Sequence, residues 1–274
     1  MIPPRFVRLL TPATAAAAAL LFTSSSITAC SPSSSRPLPT RALSAAAQLD
    51  ADYAANIISS ETLTSSFPDD ANFVWRSARV SFLASRASAT TTDRVAILRR
   101  AARALSTARA HGVTRDSAAA HRWEGIILSE LSALVTASEA ARLAWDTHAA
   151  LKTALAIDAG DASAAHLLGR WTRAIAEVPE WKRFALRALT GEELPRATKA
   201  EACEEFARAE RLDPGGWAAN LAALATCKES AGDVKVAVST AKSALAAMDH
   251  VKRDWDSEAF LEAEGVLKRQ GATL

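Results

Sequence analysis

From about residue 70 onward, apolar positions recur three and four residues apart, and polar residues fill the intervening faces. That period belongs to amphipathic α-helices rather than to strands, whose faces alternate every second residue. The runs come in pairs. The first helix of each pair follows Asp70, Asp116, Asp161 and Asp213 with Pro214, at spacings of 46, 45 and 52 residues. Asp suits a helix start because its carboxylate accepts from the exposed N–H groups of the first turn. Second helices are predicted from Asp93, Ser138, Thr198 and Asp233, and a terminal helix over about 254–269 covers the end of the stack. The third pair is the longest, because it holds an additional short helix, Pro179 to Leu189, followed by the turn TGEELPRAT.

The predicted fold class is all-α: a tetratricopeptide-like superhelix of about four helix hairpins with a C-terminal capping helix, occupying residues 67–270. The period exceeds the ~34 residues of the standard repeat, so loops or helices are extended. Trp75, Trp123, Trp171 and Trp217 each fall in the first helix of a unit, and large aromatics at helical spacing read as core. Ala200, Ala207 and Ala209 beside Phe206 are small residues of the kind that let helices approach.

Within LLGRWTRAIAEVPEW the spacing predicts Leu167, Trp171 and Ala174 on the buried side and His166, Arg170, Arg173 and Glu177 on another face. Gly169 lets a neighbouring backbone come close, which offsets its helix cost of about 1 kcal/mol. Trp181, after Pro179, is expected to lock the additional helix against the stack.

Composition agrees with helices: alanine dominates, with only 10 Gly, 10 Pro and one Tyr in 274 residues. The net charge of +2 divides unevenly. Arg5, Arg8, Arg36 and Arg41 face no acid in residues 1–49, whereas residues 50–274 carry 28 basic against 30 acidic side chains. That body lacks the basic footprint of a nucleic-acid binder. Residues 1–30 read as a targeting segment and 31–66 as a Ser/Pro/Ala-rich linker, with a short helix open around 50–66. Three addresses are open for the first segment. The Arg- and Ser-rich, acid-free composition suits a mitochondrial presequence, the leading choice; ITAC suits a bacterial lipoprotein signal at Cys30; an uncleaved anchor or ordinary signal peptide is the third. Cytoplasm or spindle is the alternative location if the segment carries no address.

Cys30, Cys203 and Cys227 form no CxxC pair, so no disulfide framework and no zinc site are expected; Cys203 and Cys227 are expected reduced and buried. The five histidines show no HExxH, and neither GxxxxGK[ST] nor GxGxxG occurs. No catalytic motif, cofactor or metal is expected. Glu192 with Glu193 and Glu204 with Glu205 read as solvated surface, since neighbours on a helix point apart. Candidate binding residues are the polar side chains of the first helices: Arg76, Arg79, His121, Arg122, His166, Arg170, Arg173 and Asn220. Arginines along a concave face can clamp carboxylates of an acidic peptide or a lipid phosphate; alternatively they form internal salt bridges or cover tryptophan faces.

The order of phrases AHRWEGIILSE, LLGRW at Leu167 to Trp171, VPEW, and EEFARAE followed by DP resembles the regulator of microtubule dynamics protein family over about residues 68–269. The resemblance implies a non-enzymatic tetratricopeptide-like domain that binds a protein partner. It links the chain to microtubules or the spindle, with tubulin as the implied partner. It also implies a second reading, a phospholipid-binding or tethering role at a mitochondrial membrane contact. The chain departs from tethering members in lacking a long hydrophobic anchor, and from the family in heavy substitution by Ala and Arg.

Overall fold

The computed structural model describes residues 70–215, 217–248 and 256–272. The targeting segment, the linker with its open helix at 50–66, Cys30 and His250 lie outside the described residues. Ten helices and no strand occur among the described residues: α1 Ala71–Ala87, α2 Thr91–Ala110, α3 Ala118–Ser132, α4 Ala137–Ile157, α5 Ala162–Ala176, α6 Glu180–Thr190, α7 Lys199–Leu212, α8 Ala218–Ser230, α9 Val234–Met248 and α10 Asp256–Arg269. The fold class is all-α, built of helix hairpins. The hairpins are α1/α2, α3/α4, α5/α7 and α8/α9, with α10 packed on α8 and α9.

Helix starts follow local chemistry. Asp70 and Asp161 cap α1 and α5, accepting from Asn72 N and Ala164 N at 2.9 Å each. Thr198 and Glu201 form a reciprocal capping box at α7. Asp233 likewise precedes α9 and accepts from Val236 N at 3.4 Å, whereas three expected starts shift by one to three residues: Thr90, Ser117 and Thr136 cap α2, α3 and α4 in place of Asp93, Asp116 and Ser138, each hydroxyl accepting from a first-turn N–H. Asp213 closes α7 instead of opening α8; Pro214 lies exposed in the turn that follows, and Trp217 occupies the N-cap position of α8. Gly191 ends α6 at φ 75°, the left-handed conformation that glycine adopts without strain.

The described residues fall into two compact units, 70–158 with 178–195 and 159–177 with 196–272. The first holds α1 to α4 and α6. Its core joins Phe73, Val80, Leu83, Leu98, Leu105, Trp123, Ile127 and Leu151. Phe82 meets Trp123 edge-on at 6.1 Å between ring centroids. Two ion pairs with buried carboxylates tie α2 to α3, Arg94 to Glu130 at 2.7 Å and Arg109 to Glu124 at 3.3 Å. Removing either arginine would leave a buried charge unpaired, so these pairs fix which faces of α2 and α3 can meet.

The second unit holds α5 and α7 to α10. Its buried stripe on α5 runs through Ala165, Leu168, Trp171 and Ile175, with Phe206 of α7 fully buried against it. The expected stripe through Leu167 and Ala174 is therefore displaced: both are half-buried, and Leu168 and Ile175 take the core positions. Likewise Ala202 and Ala209 line the buried side of α7, while Ala200 is exposed and Ala207 half-buried. Trp123, Trp171 and Trp217 are buried as core; Trp75 is half-buried.

Cys203 and Cys227 are joined in a disulfide across 24 residues. The expectation of two reduced cysteines is thus corrected. Far apart in sequence, they are brought side by side by the packing of α7 on α8, and neither is close enough in sequence to reveal a pair.

Gly169 is the close approach the sequence suggests. A Cβ there would lie 2.9 Å from Phe206 Cδ1 and Cε1 and 3.2 Å from the Ala202 carbonyl oxygen. A side chain must displace both a fully buried ring and a helix backbone. Gly169→Ala is expected to destabilise the second unit by about 1–3 kcal/mol despite the better helix propensity of alanine. Denaturant unfolding of the two proteins measures the difference.

Candidate functional site

The eight candidate binding residues separate by burial. In the second unit, His166 and Asn220 are each 1% exposed. Asn220 Nδ2 donates to the Phe206 carbonyl at 3.1 Å and to Glu210 Oε2 at 3.2 Å. Asn220 Oδ1 is therefore the acceptor, and His166 Nδ1 donates to it at 3.0 Å. The imidazole is packed between Trp217, at 4.2 Å between ring centroids, and Phe206, at 5.5 Å. This is a polar network inside the core, closed to a partner. Burial above all, then the charge of Arg170, lowers the pKa of His166 to about 3; the Asn220 hydrogen bond opposes this and Arg173 reinforces it. The ring is neutral at physiological pH.

Arg173 is committed internally: Nη1 donates to Glu262 Oε1, which also accepts from Thr226 Oγ1 at 3.0 Å. Its guanidinium also lies over the Phe206 ring at 5.5 Å. Arg170 is half-buried. The expectation that His166 lies on an open polar face of α5 is thus corrected, because Asn220 and Trp217 at the start of α8 cover the ring.

In the first unit, His121 and Arg79 are buried, and His121 Nδ1 lies 3.7 Å from Glu124 Oε2. Arg76 and Arg122 are half-buried. Arg76 donates through Nη1 to the Asn72 carbonyl at 3.1 Å, and its guanidinium sits over the half-buried Trp75 ring at 4.1 Å. Arg79 stands over the same ring at 5.2 Å. Packing of α1 on α3 makes the first helices of two hairpins neighbours, so Trp75, Arg76, Arg79 and Arg122 belong to one adjoining pair of helices. Such a platform presents a held guanidinium to a carboxylate or phosphate without the full entropy loss of a free side chain.

Between α1 and α2 the same unit carries a cavity of about 420 Å³ that sequence reasoning missed. Phe73, Val74, Ala101 and Ala104 are among its apolar lining, with Arg100, Arg103 and His111 also contributing. No periodicity signals it, since each of these residues looks like an ordinary member of its helix. Among the described residues no cluster of His, Cys, Asp or Glu could hold a metal ion, and no helix is long and apolar enough to cross a membrane.

The sequence profile of regulator of microtubule dynamics protein 1-3 matches residues 43–271. The chain belongs to that family. Regulator of microtubule dynamics protein 1 from Pongo abelii is 31% identical over 157 residues, covering 57% of this chain and 49% of the relative. The Bos taurus protein of the same name is 30% identical with the same coverage, and regulator of microtubule dynamics protein 3 of Xenopus laevis is 27% identical over 54% of this chain and 32% of its own. The matches thus span about half or less of these relatives. Among solved structures, a tetratricopeptide protein of Thermus thermophilus superposes with a TM-score of 0.48 and 15% identity, covering 83% of this chain and 95% of that one.

The buried imidazole makes stability depend on pH. In the unfolded chain His166 binds a proton below about 6.5, while in the folded unit it does not until about 3. The unfolded state therefore binds more protons between those values, and stability falls as pH falls through that window. From pH 7 to pH 5 the loss is expected to be about 2 kcal/mol, and His166→Gln removes most of it. Denaturant unfolding of both proteins at the two pH values measures it.

Proposed function

We propose that this chain is a non-enzymatic helical-repeat scaffold that binds an acidic segment of a protein partner through the α1/α3 face of its first unit, with microtubules as that partner. The observation that carries the reading is the half-buried Arg76 guanidinium held over the Trp75 ring at 4.1 Å, with the buried Arg79 over the same ring at 5.2 Å, on a helix that packs on α3, which carries Arg122. A guanidinium pre-positioned on an aromatic ring can make two parallel hydrogen bonds to one carboxylate. The family name supplies the identity of the partner, and the mitochondrial address proposed from residues 1–30 limits where the two would meet. N-terminal sequencing of the protein from mitochondria, with a start between residues 25 and 50, tests that address.

A second reading, phospholipid binding, is favoured by the cavity between α1 and α2, whose apolar lining and two arginines suit an acyl chain and its phosphate. Mass spectrometry of lipid co-purified with the folded protein tests it: a stoichiometric phospholipid supports the reading, and an empty protein removes it.

For the leading reading, co-sedimentation of the full chain with polymerised tubulin is expected to weaken as salt rises. Arg76→Glu with Arg122→Glu should raise the apparent Kd roughly tenfold or more while helicity is kept. Unchanged co-sedimentation of the folded double variant sinks the assignment of this face. Arg173 is a poor probe, because its loss strands Glu262.

A further inference from the structure

Helix α6 is turned the wrong way round for a core element. Not one of its residues is fully buried; Trp181 is 66% exposed, Phe184 74% and Leu189 63%. The expectation that Trp181 locks the helix down is corrected: Trp181 lies outward, and Arg183 and Leu186 occupy the half-buried side. Arg183 Nη1 donates to the Pro195 carbonyl at 2.8 Å and its Nε to the Val178 carbonyl at 3.3 Å. The segment after the helix is held in turn by Trp145, whose Nε1 donates to the Glu193 carbonyl at 2.8 Å, and by Arg142, which pairs with Glu192 at 3.6 Å. These contacts hold the ends of α6 and leave its apolar side outward.

That side is continuous. At 100° per residue, Phe184, Ala188, Trp181, Ala185 and Leu189 follow one another around the helix as a single stripe, with Arg183 opposite. Lys182 borders the stripe on one edge; on the other, Glu180 stands next to Phe184 and Arg187 lies one position beyond it. The Lys182 ammonium already stands 5.6 Å from the centre of the Trp181 ring. Arg187 pairs with Glu193 at 2.7 Å, but both partners are exposed and such a pair yields readily to another anion. Glu180 sits in the first turn, where an acid complements the helix dipole.

Two exposed aromatics on one helix face exceed the scattered apolar residues normal on a soluble surface. An apolar stripe with Lys182 on one border and Arg187 one position past the other fits a helix lying in a lipid interface: aromatic and leucine side chains enter the acyl boundary while the long Lys and Arg side chains reach back to headgroup phosphates. At 11 residues α6 cannot span a bilayer, so it can only lie on one. We propose that α6 is a membrane-contact helix that lays Trp181, Phe184 and Leu189 into the surface of a bilayer containing anionic phospholipid. This goes beyond both readings above, since it needs neither the arginine platform nor the cavity.

The test uses the full chain with vesicles of phosphatidylcholine brominated in its acyl chains and mixed with phosphatidylserine. Bromine quenches only indoles that reach the acyl region, so the signal is specific to the helix even if another part of the chain also holds the vesicle. Wild type is expected to lose more fluorescence than Trp181→Phe, the difference being the contribution of Trp181. Phe184→Asp with Leu189→Asp should abolish that difference and lower the bound fraction roughly tenfold, as the loss of two apolar anchors predicts. Lys182→Glu with Arg187→Glu should weaken binding to the anionic vesicles and leave the small residual binding to pure phosphatidylcholine unchanged. Equal quenching of wild type and Trp181→Phe overturns the proposal. So does a Phe184→Asp, Leu189→Asp protein whose Trp181 is quenched by the brominated vesicles as strongly as in wild type.

Discussion

Phe206 sits where Gly169 has no side chain, and the second unit is organised around that contact. The ring is fully buried, its edge 2.9 Å from where a Cβ of residue 169 would stand, so α5 and α7 cross with backbone close to side chain. Three polar side chains nearby refer to the same residue. Asn220 donates to its carbonyl, His166 packs on its ring, and the Arg173 guanidinium lies over it. Interiors are packed closely enough that moving one such ring moves its neighbours. The Cys203–Cys227 disulfide then joins α7 to α8 three residues before Phe206, covalently holding the helix that presents the ring.

That arrangement has a functional consequence. By drawing His166 and Asn220 inside and engaging Arg173 with Glu262, the second unit uses its chemically distinctive side chains for cohesion. The first unit carries two dissimilar surfaces, on which the proposals above rest. One is the cationic platform on Trp75, suited to anions by geometry and charge. The other is the outward stripe of α6, suited to an apolar phase by its composition. A scaffold that brought a protein and a bilayer together would need surfaces of these two kinds.

Helix type and order were legible in the sequence, because the 3.6-residue period, the capping residues Asp70, Asp161 and Thr198, and the scarcity of glycine and proline all point the same way. Gly169 was legible too, as a glycine whose cost inside a helix needs an explanation. Three features were not. His166 and Asn220 read as surface, since periodicity sorts residues by polarity and has no signal for a polar pair that satisfies itself inside. Trp181 read as an anchor by the converse assumption, that a tryptophan seeks the interior; only the bonds of Arg183 to Pro195 and Val178 reveal which side of α6 is attached. The cysteine pair depends on how α7 packs on α8, which a spacing of 24 residues does not encode.

The central claim is that partner recognition resides in the α1/α3 face of the first unit and that the polar residues of α5 and α8 are structural. Hydrogen–deuterium exchange of the full chain with and without polymerised tubulin tests it most directly. The account predicts added protection in peptides spanning Trp75 to Arg79 and His121 to Trp123, with exchange around His166 and Asn220 unchanged. Protection centred on α5 and α8, or none in α1 and α3 while the chain is bound, would contradict it.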